Sequence, residues 1–114
     1  MPKRVLITLL GNDVAPRFDL ATEVMVFAVM PDGTIEDEKI MVLPQASAEK
    51  LCHMIITEDV KVVICGGIEE EYYQYMVWKR ITVHESVIGP ADRVRQRFCQ
   101  GQLKHGDILH DVVP

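Results

Sequence analysis

Two short stretches of the chain combine residue types that could bind a ligand. The first is Cys65-Gly66-Gly67, which ends the most apolar and β-branched run of the sequence, Val60 to Gly67. A thiolate is a soft metal ligand, and glycines let a ligand approach the backbone. A lone cysteine at the end of a buried strand is also commonly a small core residue. The stretch therefore predicts either a metal-binding thiol or a packed strand end.

Three glutamates, Glu69 to Glu71, follow the glycines where a helix should begin. Carboxylates are favoured there by the positive end of the helix dipole. They would also repel a phosphate or any other anion at that helix terminus. The two glycines are therefore not expected to form a phosphate-binding loop.

The second stretch is the loop Val14 to Ala21, which has neither helical nor strand periodicity. Arg17 could bind an anion through its planar guanidinium, Phe18 could form the wall of a pocket, and Asp19 could orient either. Loops carry binding residues more often than their share of the chain. The alternative is that Phe18 anchors the loop in the core while Arg17 and Asp19 are solvated.

The remaining metal-ligating residue types lack suitably spaced partners. Adjacent helical residues point about 100° apart, so Cys52 and His53 cannot easily share one metal. We therefore expect packing roles for Cys52 and Cys99, and no role is predicted for Trp78. Structural or solvated roles are expected for all four histidines, because none has a recognised ligand spacing. These histidines are His53, His84, His105 and His110.

Hydrophobic periodicity predicts the elements that position these residues. Ser47 is the expected N-cap of a first helix, a second begins just after Gly67, and a third begins at Pro90 and ends at Gly101. The second helix should bury one stripe, formed by Ile68, Tyr72, Tyr75 and Met76. The predicted strands are Val5–Leu10, Glu23–Met30, Ile35–Leu43, Val60–Gly67 and Arg80–Val83.

This order of elements predicts an α/β fold with a mixed five-stranded sheet and three helices. The first three strands are joined by short turns and should pair antiparallel, whereas strand-helix-strand crossovers should be parallel. The expected strand order is 3-2-1-4-5, a ribonuclease-H-like architecture with Val60–Gly67 as its central strand. Residues 1–103 should form one domain, and residues 104–114 should form a C-terminal tail that is partly mobile.

Composition restricts the partners and the compartment. The 114 residues carry a formal net charge of −5, which disfavours nucleic acid and anionic membranes as partners. Three cysteines without a Cys-x-x-Cys pair fit a reducing compartment. The apolar run Val5 to Leu10 is too short for a signal peptide core or a membrane span. We therefore expect a cytoplasmic protein.

A nuclease is the natural enzyme class for this architecture, but the sequence does not meet the requirements of a nuclease. Two-metal nucleases need several carboxylates that converge on the strands. The first strand carries no acidic residue between Val5 and Leu10, and the Val60–Gly67 strand carries Lys61 but no acid. A metal-dependent hydrolase is therefore the least favoured alternative, and we expect no enzymatic activity.

Three motifs of the chain together resemble the dinitrogenase iron-molybdenum cofactor biosynthesis family. The resemblance covers roughly Val5 to Leu103 and implies a ribonuclease-H-like fold without nuclease activity, which binds or carries an iron-molybdenum or related metal-sulfur cluster. The motifs are Ala15-Pro16-Arg17-Phe18-Asp19-Leu20-Ala21, Val63-Ile64-Cys65-Gly66-Gly67-Ile68 and Phe98-Cys99-Gln100-Gly101-Gln102-Leu103.

The resemblance implies a cluster site at the mouth formed by the Val14 to Ala21 loop and Cys65 to Ile68. Cys65 would be the thiolate ligand of the metal and Arg17 an outer contact to the anionic cluster. Phe18 would belong to the same site, and Gly66 and Gly67 would let the cluster approach the backbone. The partners implied are the cluster and a protein that donates or accepts it. Whether the chain forms a homo-oligomer is left open.

The sequence departs from the family pattern at both motifs. Arg17 stands where the family commonly has histidine, Asp19 stands where it commonly has glycine, and Glu69 to Glu71 replace a small, glycine-rich helix start. These changes remove one ligand candidate and add negative charge beside the expected cluster. They motivate the alternative of an interaction or regulatory module that has the fold and binds no cofactor.

Overall fold

The computed structural model describes residues 2–109 and contains a mixed sheet flanked by helices on both faces. The three helices are α1 (Ala48–Thr57), α2 (Glu70–Trp78) and α3 (Ala91–Cys99), and a short 3-10 turn spans Phe18–Leu20. The six strands are β1 (Lys3–Leu10), β2 (Asp13–Val14), β3 (Glu23–Val29), β4 (Ile35–Val42), β5 (Val62–Ile64) and β6 (Thr82–His84).

The strand order differs from the predicted order 3-2-1-4-5 because the sheet contains a sixth strand. The long path runs β4-β3-β1-β5-β6, and β2 pairs with β1 outside this path. Pairing is antiparallel for β1 with β2, β1 with β3, and β3 with β4, and parallel for β1 with β5 and β5 with β6. The expected mixture of antiparallel and parallel strands is therefore present, and the additional strand has only two residues.

The centre of the sheet is β1, not the Val60–Gly67 run. The ladder of β5 covers only Val62–Ile64, because beyond Ile7 the neighbouring part of β1 pairs with β2 through Leu9 and Val14. Gly67 pairs instead with Arg17 of the loop, in an isolated parallel bridge. The predicted strand was therefore too long at its carboxyl end, where the chain turns towards the loop.

Two cores lie on opposite faces of the sheet. One core contains Leu51 and Ile55 of α1 with Met76 of α2. The other contains Ala91 and Val94 of α3. The N-cap predicted for α1 is confirmed, because the Ser47 hydroxyl accepts a hydrogen bond from the backbone N–H of Lys50 at 3.2 Å. No helix within residues 2–109 is long and apolar enough to span a membrane.

Helix α2 buries less of its predicted stripe than its sequence indicates. Met76 is fully buried, whereas Ile68 and Tyr72 are half-buried and pack against the edge of the core. The prediction that Tyr75 belongs to the core was wrong, since its side chain is 37% exposed. Trp78, for which no role was predicted, is 73% exposed at the end of the same helix.

The segment that follows α3 pairs with the loop between β6 and α3. The N–H of Leu109 donates to the carbonyl of Ile88 at 2.7 Å, and the N–H of Gly106 donates to that of Glu85 at 3.0 Å. Gly101 ends α3 with φ +72°, as predicted for a left-handed stop. The division between a domain over 1–103 and a tail over 104–114 stays a prediction, and His110 lies outside the described residues.

Candidate functional site

Two of the three motifs that carry the family resemblance meet in space. The N–H of Gly67 donates to the carbonyl of Pro16 at 2.7 Å, and the N–H of Phe18 donates to the carbonyl of Gly67 at 2.8 Å. The loop is also held at its start, where the N–H of Ala15 donates to the carbonyl of Thr8 at 2.9 Å. We call this contact between residues 15–19 and 65–67 the loop–strand junction.

Gly66 is required by the loop backbone. A Cβ atom at this position would lie 2.4 Å from the carbonyl oxygens of both Ala15 and Pro16, far inside van der Waals contact. At Gly67 the nearest atom would be the Pro16 carbonyl oxygen, at 3.4 Å. The close approach that the sequence predicted for a ligand at Gly66 is therefore made by the protein's own chain.

Cys65 is fully buried at the base of the loop–strand junction. It belongs to the same core as Phe18 and Val63. Burial raises the pKa of the Cys65 thiol to about 12, and the nearby charge of Glu85 contributes. The thiol is therefore protonated at neutral pH and out of reach of an external metal while the loop stays in place.

Phe18 is the anchor of the loop. Its side chain is 1% exposed, and its ring lies 6.2 Å from the ring of Tyr72 on α2, centroid to centroid. This position matches the alternative in which Phe18 packs in the core. The loop is thus fixed by backbone hydrogen bonds on one side and by a buried aromatic ring on the other.

Arg17 and Asp19 form an exposed ion pair at the outer edge of the junction. The Nε and Nη2 atoms of Arg17 donate to the two carboxylate oxygens of Asp19 at 3.0 Å and 2.7 Å. The Arg17 side chain remains 58% exposed. The guanidinium is therefore accessible to an anion, but Asp19 occupies the two-pronged face with which it would bind one.

A cavity of about 280 Å³ lies beside this ion pair. Its volume is slightly below the roughly 300–1,000 Å³ of typical small-molecule pockets. A bulky ligand would therefore rest on the surface and would not be enclosed. The lining residues are Leu9, Leu10, Ala15, Pro16, Arg17, Leu20, Ala21, Thr22 and Glu23.

A buried hydroxyl without a partner lies next to the junction. Thr8 is fully buried on β1, and within residues 2–109 its Oγ1 is the only buried side-chain nitrogen or oxygen without a hydrogen-bond partner. Its register partner across β3 is Val24, which belongs to the core of Cys65 and Phe18. The interior beneath the loop is thus almost entirely apolar.

The side chains around the junction do not fit the coordination shell of a resident metal. Across the described part of the chain, no group of three or more His, Cys, Asp or Glu side chains could hold a metal ion. His84 packs edge-on against Phe98, and its pKa is lowered by burial and by the nearby His105. The arrangement can still offer the Arg17 guanidinium as a hydrogen-bond donor to an anion that carries its own metal.

Sequence reasoning missed a second concave surface, between α1 and α2. It is lined by residues of both helices, including Cys52, His53 and Tyr75. One signal for it was present in the sequence, because α2 also carries Tyr73, Val77 and Trp78 outside its predicted stripe. A short helix with apolar side chains on several sides leaves some of them uncovered when only one face meets the core.

Solved structures with the same fold include proteins from several sources. The protein designated PH0822 matches with a TM-score of 0.80 and 21% identity, over 90% of this chain and 93% of that one. A protein from Methanocaldococcus jannaschii, provisionally named a dinitrogenase, matches with a TM-score of 0.74 and 20% identity, over 91% and 94%. A Thermotoga protein provisionally named NifB, of the DUF35 family, matches with 0.70 and 16% identity, over 96% and 99%.

The sequence comparisons contribute no further relative. No family model matches the chain, and no curated protein matches it. At 16–21% identity the structural likenesses establish the fold. The chain therefore shares its fold with small proteins that carry nitrogenase-related names.

Proposed function

We propose that this chain is a small, non-enzymatic, cytoplasmic protein with a ribonuclease-H-like fold that binds or carries an iron-molybdenum or related metal-sulfur cluster. The cluster is cargo, held at the outer edge of the loop–strand junction. The proposal is supported by the family resemblance of the two motifs and by the nitrogenase-related names of the structural neighbours. A donor or acceptor protein for the cluster is part of the proposal.

The observation that carries the proposal is the bridge between Arg17 and Gly67. It joins the two motifs in one contact and holds an exposed guanidinium beside the strand end. Metal-sulfur clusters are commonly anionic, and a guanidinium donates charge-assisted hydrogen bonds to anions. The contact therefore supplies an outer binding group without a protein thiolate.

The burial of Cys65 changes the expected mode of attachment. Its thiol is protonated and enclosed, so the proposed cargo keeps its own coordination shell and contacts Arg17. Phe18, Gly66 and Gly67 act as positioning residues that hold the loop. Asp19 competes with the cargo for the guanidinium, which favours weak and reversible binding.

The test is anaerobic loading with isolated iron-molybdenum cluster, followed by metal analysis and visible absorption spectra of the re-purified protein. We expect bound iron and molybdenum, a roughly tenfold weaker retention for Arg17→Gln, and an unchanged retention for Arg97→Gln. Arg97 is an exposed arginine on α3, away from the junction, and it controls for the loss of one positive charge.

A Cys65→Ala variant separates the two modes of attachment. If Arg17 is the contact, a folded Cys65→Ala protein retains the cluster, whereas a thiolate ligand would be lost with it. Folding is checked by circular dichroism and thermal unfolding before loading. An unmodified protein that leaves the procedure without metal refutes the proposed function.

A second candidate function is an interaction or regulatory module without a ligand. It is favoured by the closed Arg17–Asp19 pair and by the enclosed thiol of Cys65. This candidate predicts a protein that stays metal-free through the same loading procedure.

A further inference from the structure

An open groove lies between α1 and α2 on the face of the sheet that also carries the Phe18 anchor. Its volume is about 450 Å³, which is within the range of ligand and peptide pockets. The groove is lined by Glu49, Cys52, His53 and Ile56 of α1 and by Glu71, Tyr72 and Tyr75 of α2. We call this surface the helix groove.

The helix groove has apolar and aromatic side chains on its two walls and at one end. Ile56 and Tyr75 are large exposed side chains on opposite walls. At the end of α2 the ring of Trp78 lies 6.3 Å from that of Tyr75, centroid to centroid. The ammonium of Lys79 lies 4.8 Å from the centroid of the Trp78 ring and places one positive charge at this end. A contiguous exposed apolar surface of this kind is typical of an interaction site.

The walls of the helix groove carry negative charge. Glu49 on α1 and Glu71 on α2 are both exposed and line opposite sides. Burial raises the pKa of Tyr72 on the floor, and the charges of Glu71, Glu69 and Glu49 raise it further. These three carboxylates therefore all place negative charge close to Tyr72.

We infer that the helix groove docks a basic amphipathic helix of a partner protein. Apolar side chains of that helix would pack on Ile56 and Tyr75, and a lysine or arginine would lie between Glu49 and Glu71. Grooves between helices commonly bind the apolar face of an amphipathic helix, and opposite charges on the rim select and orient it. The two glutamates disfavour nucleic acid and acidic peptides as occupants.

A second copy of this chain is a weaker match for the groove. Its most basic helix is α3, but Arg95 of that helix already pairs with Glu38 and Asp92. Docking of α3 into the groove of a neighbour would also be a head-to-tail contact, which extends into an open chain unless the subunits close into a ring. The partner helix is therefore expected from a different protein.

The helix groove and the loop–strand junction touch but use different residues. The rings of Phe18 and Tyr72 are in contact, and Cys52 of the groove packs in the same core as Phe18 and Cys65. The inference stands independently of cluster binding, because no groove residue contacts Arg17 through a hydrogen bond or ion pair within the described residues. A protein that binds no cluster can still dock the helix.

The probe for the test is a synthetic helical peptide of about 18 residues, with leucines spaced at i, i+3, i+4 and i+7 and lysines beside them. Its control is the same peptide with glutamate in place of lysine. Trp78 is the only tryptophan of the chain and reports on the groove by its fluorescence. Calorimetry measures the same binding without relying on Trp78.

We expect the basic peptide to bind and to quench or shift the Trp78 emission, whereas the acidic peptide does not bind. A Glu49→Gln/Glu71→Gln double variant should weaken binding roughly fivefold to tenfold at low salt, and added salt should reduce this difference. The control, Glu36→Gln/Asp59→Asn, removes the same charge from the exposed β4 edge and the α1–β5 turn.

The apolar contribution is tested with Tyr75→Ala, which should weaken peptide binding about tenfold. Val77→Ala is its control, because Val77 is exposed on α2 outside the groove. All variants are checked for native circular dichroism.

Three results would overturn the inference. One is equal binding of the basic and acidic peptides, and another is binding that the groove variants leave unchanged. The third is self-association of the chain, measured by sedimentation, that Tyr75→Ala abolishes, because the occupant would then be a second copy. Binding of the basic peptide with loss in the groove variants alone supports the inference.

Discussion

The loop–strand junction and the helix groove meet at the ring contact between Phe18 and Tyr72, and they are built in opposite ways. At the junction, backbone hydrogen bonds and a buried ring close the surface over Cys65. In the groove, α1 and α2 leave Ile56 and Tyr75 exposed beside the carboxylates of Glu49 and Glu71. The junction contains two of the three sequence motifs, whereas the groove contains none.

This difference shows that the motif residues of this chain are needed first for packing of the loop, and not necessarily for binding a ligand. Gly66 is part of a recognisable sequence because the backbone of Pro16 lies where its side chain would be. The groove needs no special backbone, so ordinary glutamate, isoleucine and tyrosine residues build it. Substitutions at both surfaces can measure how tightly the junction is closed and whether the groove is independent of it.

The largest expected effect is the loss of stability in Gly66→Ala. The new Cβ would overlap two backbone carbonyls at 2.4 Å, and backbone atoms cannot rotate away as a side chain can. We expect the free energy of unfolding to fall by about 3 kcal/mol. Chemical denaturation followed by circular dichroism measures it.

Gly67→Ala is the matched control for this substitution. Its Cβ would meet one carbonyl oxygen at 3.4 Å, an ordinary contact, and we expect a loss below about 1 kcal/mol. Equal losses in the two variants would show that the loop does not cross Gly66 as closely as described.

The second prediction concerns the reactivity of Cys65. Its thiol has a pKa of about 12 and is fully buried, whereas Cys99 is half-buried on α3. We expect a thiol reagent to modify Cys65 at least about a hundredfold more slowly than Cys99, because reaction requires the junction to open. The rates are measured in variants that retain one cysteine each, at neutral pH.

Variants of the helix groove test whether the groove and the loop–strand junction open independently of each other. If the groove is separate from the junction, Tyr75→Ala leaves the labelling rate of Cys65 unchanged. A faster rate in Tyr75→Ala would mean that the two surfaces open together through Phe18 and Tyr72, and that they are not independent.

The sequence predicts the longer elements because each has a clear period. The apolar stripe and Ser47 cap define α1, and β3 and β4 are bounded by turn residues at Pro31 to Gly33. The two-residue strand β2 has no period to detect and was missed. Its absence from the predicted sheet is what changed the strand order.

The candidate site was predicted less well than the fold. The sequence predicts binding residues in the loop and in Cys65-Gly66-Gly67, and these two stretches are in contact. Tertiary contacts decide whether the space beside a glycine is filled by a ligand or by the chain itself. One sequence does not reveal these contacts. The exposure of Tyr75 was missed for a similar reason, since periodicity describes one helix and not the space beside it.

The third prediction is a gain in stability from Thr8→Val. Thr8 Oγ1 is buried without a hydrogen-bond partner in the described structure, so its loss removes an uncompensated desolvation penalty while valine keeps the shape. We expect the free energy of unfolding to rise by about 1 kcal/mol. Thr82→Val, at an exposed position of β6, should have a smaller effect and serves as the control. A loss of stability in Thr8→Val would indicate that the interior beneath the loop is polar.

The smallest expected effect on stability comes from Asp19→Asn, and this variant connects the junction to the proposed function. The ion pair with Arg17 is exposed, and such pairs contribute less than about 1 kcal/mol. Unfolding should therefore change little, as it should in Asp59→Asn, which breaks another exposed pair with Lys61. Cluster retention should instead rise about twofold to fivefold in Asp19→Asn alone, because the guanidinium loses its competing carboxylate. If retention falls, Asp19 helps to hold the cargo, and the junction is then an assembled binding site whose two charged residues act together.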